Sequence, residues 1–139
     1  MLAFSVHEDN VKVFMQHLFA LPTFSSFRVQ GVSVSSFAHF DISDCDFNWE
    51  EMQPYIRFIL KGRDKPRGMK FVFAHENPQE LHDNAAALFI NIVYDSEKIN
   101  ITTATSQKQF ALDKSLDKNW DEWVYKFIQE KKLPAQIAE

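Results

Sequence analysis

The chain has 139 residues and a mass of 16.3 kDa, the size of one ordinary domain, so residues 1–139 read as a single unit. Its 15 Lys and Arg against 19 Asp and Glu leave a net charge of -4, which excludes a bulk nucleic-acid packer. Hydrophobic residues at 45% and charged residues at 24% are a globular balance, and a single cysteine, Cys45, excludes an internal disulfide or a cysteine-based zinc knuckle.

From Leu2 to Val6 the chain reads as a short strand. Asp9 or Asn10 can cap a helix that ends at Pro22, which lacks an N–H. Within it Val11, Phe14, Met15, Leu18 and Leu21 form one apolar stripe at helical spacing. From Phe24 to Ile42 the period becomes two. Phe27 and Val29 alternate with polar partners; Val32, Val34, Ala38, Phe40 and Ile42 then alternate in the opposite phase. The flip falls at Gly31, where a bulge or a turn would exchange the buried face. Two antiparallel strands follow, with the turn left open between Gly31 and Ser36.

Asn48-Trp49-Glu50-Glu51 has the form of a capping box, and Trp49, Met52, Ile56, Ile59 and Leu60 form the stripe of a second helix that contains Pro54. Lys61-Gly62 is a stop signal. Met69 to His75 is apolar on both faces, Ala87 to Tyr94 is apolar enough for a central strand, and the turn Asp95–Lys98 leads into a β-branched strand, Ile99 to Thr105. Ser115 or Asp117 opens a last helix with the stripe Leu116, Trp120, Trp123, Val124, Phe127 and Ile128. The expected fold is α+β: a mainly antiparallel sheet, two helices in tandem β-α-β-β and α-β-β-β order, and a C-terminal helix.

Those tandem units, roughly residues 2–42 and 49–105, resemble one domain of a DNA sliding clamp in element order. The resemblance implies helices lining one face with strands behind them; the closing helix departs from it. The segments Thr23-Phe24 through Asp41, and Lys61-Gly62-Arg63-Asp64-Lys65-Pro66 leading into a strand, are similar to a family of short uncharacterised Firmicutes proteins, a domain of unknown function. That family implies no activity and lends no catalytic residues.

Charge is the least ordinary feature. Arg57, Lys61, Arg63, Lys65, Arg67 and Lys70 face one acid, Asp64, giving +5 in the 14 residues 57–70, while the rest of the chain carries -9. Clustered cations can neutralise phosphates, so this segment is the candidate contact for nucleic acid or another polyanion. The plainer reading is a solvated helix end whose cations complement the dipole.

Asp41, Asp44 and Asp46 lack the Gly and distal Glu of a calcium loop and read as a turn leading to the second helix. His75, Glu76 and His82, with Asp83, are the candidates for a metal site or an acid–base pair; neither His7-Glu8 nor His75-Glu76 extends to a zinc-hydrolase motif. Asp44 and Asp46 would raise the Cys45 thiol and suppress its thiolate. There is no P-loop, no dinucleotide fingerprint and no nucleophile elbow, and no motif calls for a cofactor.

Three functional readings follow. The leading one is a non-catalytic interaction module with a nucleic-acid or protein partner, and self-association within its scope. The second is a small enzyme built on His75, Glu76 and His82. The third is an architectural subunit, which would require an apolar outer face on the Trp120–Ile128 helix. The opening Met1–Asp9 has no signal-peptide pattern and no stretch approaches the ~18 apolar residues of a bilayer span, so the expectation is a cytoplasmic chain with no membrane partner.

Overall fold

A computed structural model describes residues 2–35, 39–60, 67–95 and 97–138, without the side chains of Asp44, Cys45 and Ile59. The chain order is β1 (Ala3–Val6), α1 (Val11–Phe19), β2 (Arg28–Ser35), β3 (His39–Asn48), α2 (Trp49–Leu60), β4 (Gly68–Ala74), β5 (Ala85–Tyr94), β6 (Ile99–Gln107), α3 (Ser115–Glu130) and β7 (Gln136–Ile137). The described strands form one seven-stranded sheet in the order β3-β2-β4-β5-β6-β1-β7, antiparallel at every pairing. The expected α+β architecture is present. β1 lies beside β6, far from its neighbours in sequence, and β7 caps that edge.

Each local element has a legible cause. α1 starts at Val11 with no side-chain cap from Asn10; instead His7 Nδ1 accepts the Asp9 N–H and a short 3₁₀ turn, Glu8–Asn10, feeds the helix. Asn48 Oδ1 accepts the Glu50 N–H at 2.8 Å and opens α2, which runs through Pro54 without a break. The phase change at Gly31 is a bulge: the register of β2 shifts between Val29 and Gly31 against both neighbours. At the end of α3, Lys132 takes a left-handed φ of 55°. This lets Lys132 and Leu133 donate their N–H groups to the Gln129 and Ile128 carbonyls, a Schellman stop.

Across the sheet, directly opposed residues share a face, so the register sorts the side chains into rungs. Phe40–Val34–Met69–Tyr94–Ile99–Val6 and Ile42–Val32–Phe71–Ile92–Ile101–Phe4 point to one face, and both are apolar throughout. All three helices pack there. Phe24 stacks on Phe73 with centroids 5.1 Å apart, Trp49 meets Phe73 edge-on at 5.1 Å, and Phe127 meets Phe27 at 5.3 Å. Phe14, Val29, Phe73, Leu88, Trp120 and Val124 are fully enclosed. Burial of each large side chain contributes about 1.5–3 kcal/mol, so this one layer supplies most of the folding energy.

Candidate functional site

Three of the six cations of the basic segment, Arg57, Arg67 and Lys70, lie among the described residues, and they do not share one surface. Arg57 sits on the exposed side of α2, its guanidinium donating to the Phe19 carbonyl at 3.4 Å, in the helix layer. Lys70 lies on β4 in a rung with Ser33 and Val93, on the face that carries no helix. The sheet therefore stands between Arg57 and Lys70. Arg67 enters β4 with its N–H on the Ser35 carbonyl at 2.8 Å. All three are exposed, and among the described residues none forms an ion pair. Lys61, Arg63 and Lys65 lie outside the described residues.

The histidine candidates are placed by local hydrogen bonds. His75 follows β4 with its ring edge-on to Trp123 at 5.0 Å and to Trp120 at 5.8 Å, and burial pushes its pKa down, against the opposing pull of Glu80 and Glu76. Its Nδ1 accepts the Asn77 N–H at 3.0 Å. His82 Nδ1 accepts the Asn84 N–H at 3.0 Å, and its Nε2 lies 2.8 Å from the Ser115 hydroxyl, whose own proton goes to Asp113 at 2.9 Å. The same arrangement recurs at His7, so each His-acid-Asx tripeptide uses the imidazole to cap a turn.

That pattern fixes the direction of proton donation. With Nδ1 accepting, His82 carries its proton on Nε2 and donates to Ser115, which donates to the acceptor-only Asp113. A nucleophilic serine needs the reverse, with the imidazole accepting from the hydroxyl. Asp113 instead forms an Asx turn that leads into α3: its carboxylate takes the Ser115 N–H at 2.9 Å, and the two Ser115 bonds hold its pKa low. Among the described residues no group of three or more His, Cys, Asp or Glu side chains is placed to hold a metal ion. His75, Glu76 and His82 do not form such a group.

The acidic cluster corrects the expected turn. Residues 41, 44 and 46 belong to β3, the edge strand, where Asp46 takes the Arg28 side chain by an ion pair and, through its carbonyl, a second bond at 2.8 Å. Acidic residues suit an edge strand, because charge discourages pairing with a further chain. The outer face of α3 carries Lys118, Glu122, Lys126 and Glu130 around a single exposed ring, Tyr125, short of the apolar surface that the architectural reading requires of it.

Two surface features were missed from the sequence. Tyr55 and Phe58 stand exposed on α2, and Phe58 helps line a depression of about 690 Å³ with Phe19, Pro54, Arg57 and Leu60. Both fall outside the stripe Trp49, Met52, Ile56, which was the available signal. Phe110 and Leu112 are 86% and 81% exposed on a loop held by two side-chain amides. Asn84 grips both the N–H and the carbonyl of Gln109, and Gln107 does the same for Ala111.

No helix of the described residues is long and apolar enough to cross a membrane. Residues 19–136 match a family model described as "Family of unknown function (DUF5721)". No curated protein and no solved structure matches the chain.

Proposed function

The chain belongs to the family of unknown function DUF5721, and from that premise we propose that it is a non-catalytic interaction module whose basic segment, residues 57–70, contacts a polyanion, with nucleic acid as the test case. The observation that carries this reading is the charge segregation, +5 in that segment against -9 elsewhere, together with three exposed cations that have no carboxylate partner among the described residues. Cations left unpaired in water keep their full attraction for phosphates, and binding releases the counterions condensed on a polyanion. The separation of Arg57 from Lys70 by the sheet narrows the contact to the stretch between α2 and β4, so Lys61, Arg63, Lys65 and Arg67 carry it. The non-catalytic part of the reading is supported by the hydrogen-bond direction at Ser115, which leaves the hydroxyl unactivated.

The test is fluorescence anisotropy with labelled duplex and single-stranded nucleic acid at low and moderate salt. The expected result is micromolar binding that falls steeply with salt, and both its strength and its salt slope should drop in a variant with those four residues reversed to Glu. Absence of binding at low salt, or unchanged binding by the variant, overturns the reading.

A further inference from the structure

The face of the sheet opposite the helices is the feature that the proposed function leaves unused. Its rungs are Asp41–Ser33–Lys70–Val93–Asn100–Ser5–Gln136 and Ser43–Gly31–Val72–Asn91–Thr102–Ala3, followed by Arg28–Ala74–Phe89–Ala104. No helix of the described residues packs on it. β4 and β5 nevertheless carry Val72, Phe89 and Val93 outward between Lys70 and Asn91, with Ala74 already buried, a larger apolar share than a fully solvated face needs. A solvated face of an antiparallel sheet would instead alternate to charged and long polar residues.

We propose that this helix-free face is a self-association surface on which a second copy of the chain packs sheet to sheet. Three properties select that occupant. The face is close to neutral: Asp41 and Lys70 offset one another, and Arg28 is held by Asp46, so nothing here concentrates the cations that a polyanion requires. Short residues (Gly31, Ser33, Ser43, Ala3, Ala104) lie between the longer Arg28, Lys70 and Phe89, which leaves room for a second sheet to approach toward the ~10 Å of a sandwich with the long side chains interdigitated. Its size suits a weak pair. Its rungs hold seven, six and four residues, which at about 4.8 by 6.8 Å each present roughly 550 Å² in projection, below the ~800 Å² per partner of a standard interface and in the range of a weak dimer. In the pair, Lys70 meets a carboxylate of the rung that holds Asp41, in place of water.

The experiment is sedimentation of the full chain up to about 100 μM, above the Kd that interfaces of this size show, beside the variants Val93→Glu and Ala104→Glu. Neither site belongs to the basic segment, so polyanion binding can fail or survive independently. The expected result is a wild-type mass twice the 16.3 kDa chain mass and a variant mass equal to it, with far-ultraviolet circular dichroism unchanged. A wild-type chain that stays at 16.3 kDa overturns the proposal whatever the variants do, as does a folded variant that still dimerises.

Discussion

Along β4 the side chains of Met69, Phe71 and Phe73 point into a layer of three helices, while Lys70, Val72 and Ala74, one residue away in each case, lie on the opposite face of the sheet. The same alternation runs through β5, where Leu88, Ile90 and Ile92 are enclosed and Phe89, Asn91 and Val93 face outward. Both faces are built on one backbone with one set of ladder hydrogen bonds. Backbone pairing is therefore common to the two, and the difference in energy comes from what the side chains touch. The inner face carries the aromatic network that joins Phe24, Phe27, Trp49, Phe71, Phe73 and Phe127. The outer face carries Phe89 as its one large aromatic among these rungs, flanked by Ala74 and Ala104.

The comparison breaks most visibly at Phe73. Phe73→Ala removes a fully enclosed ring in contact with Phe24, Phe27, Trp49 and Phe71, and a core this rigid collapses only partly into the space. Chemical denaturation should show a loss of about 3–5 kcal/mol. The matching change on the other face, Phe89→Ala, should cost the isolated chain no more than about 1.5 kcal/mol, since that ring is half-buried between two alanines. Equal losses at the two positions would show that the faces are not energetically distinct.

A smaller effect tests whether the exposed Phe110–Leu112 loop is a preorganised element like the faces or a passive connection. Gln107→Ala removes the two bonds that its amide makes to Ala111, at 3.2 and 3.1 Å, on partly buried atoms. The expected loss is about 1–2 kcal/mol, with faster hydrogen exchange at Ala111 and Gln109. An unchanged exchange rate would mean that the loop holds its shape without the clamp.

Much of this contrast was legible before the structure, and the failures are physically specific. The apolar stripes of α1, α2 and α3 predicted most of the buried helix positions, because helical periodicity is a local property, but Leu21 lies beyond the end of α1 at Phe19 and is exposed, and the Ile59 side chain lies outside the described residues. The change of phase at Gly31 located the bulge. Asp41, Asp44 and Asp46 suggest a turn because Asp favours turns, but they lie on an edge strand where Asp41 and Asp46 are exposed, and pairing to β2 overrides the local preference. The adjacency of β1 and β6 joins residues about a hundred positions apart, such as Ala3 and Thr102, and no local pattern encodes it. At the candidate site, the cation cluster was visible as a count, whereas its division between helix layer and outer sheet face depended on which way β4 is turned. The imidazole caps at His75 and His82 were not foreseen, since the His-acid-Asx spacing specifies a turn only once the ring is seen to accept the N–H two residues on.

The subtlest difference between the faces is their response to acid. His75 sits at the rim of the inner layer against Trp120 and Trp123, and burial lowers its pKa below the ordinary 6.5, with Glu80 and Glu76 opposing that effect. His17, bonded to Thr23 beside α1, is lowered by burial as well. In the unfolded chain both rings take up a proton as the pH falls below 6.5; in the folded chain they resist. The unfolded state therefore binds more protons in that window. Stability is complete above pH 6.5 and declines as the pH falls through the folded values. Protonation at Nδ1 would also remove the acceptor that holds the Asn77 N–H, which points the same way. His75→Phe keeps an aromatic ring against Trp123 and removes the titration. Denaturant midpoints measured across this range should fall less steeply in that variant, with the slope due to His17 remaining. A wild-type slope in His75→Phe would place the acid sensitivity elsewhere, away from the rim of the helix-covered face.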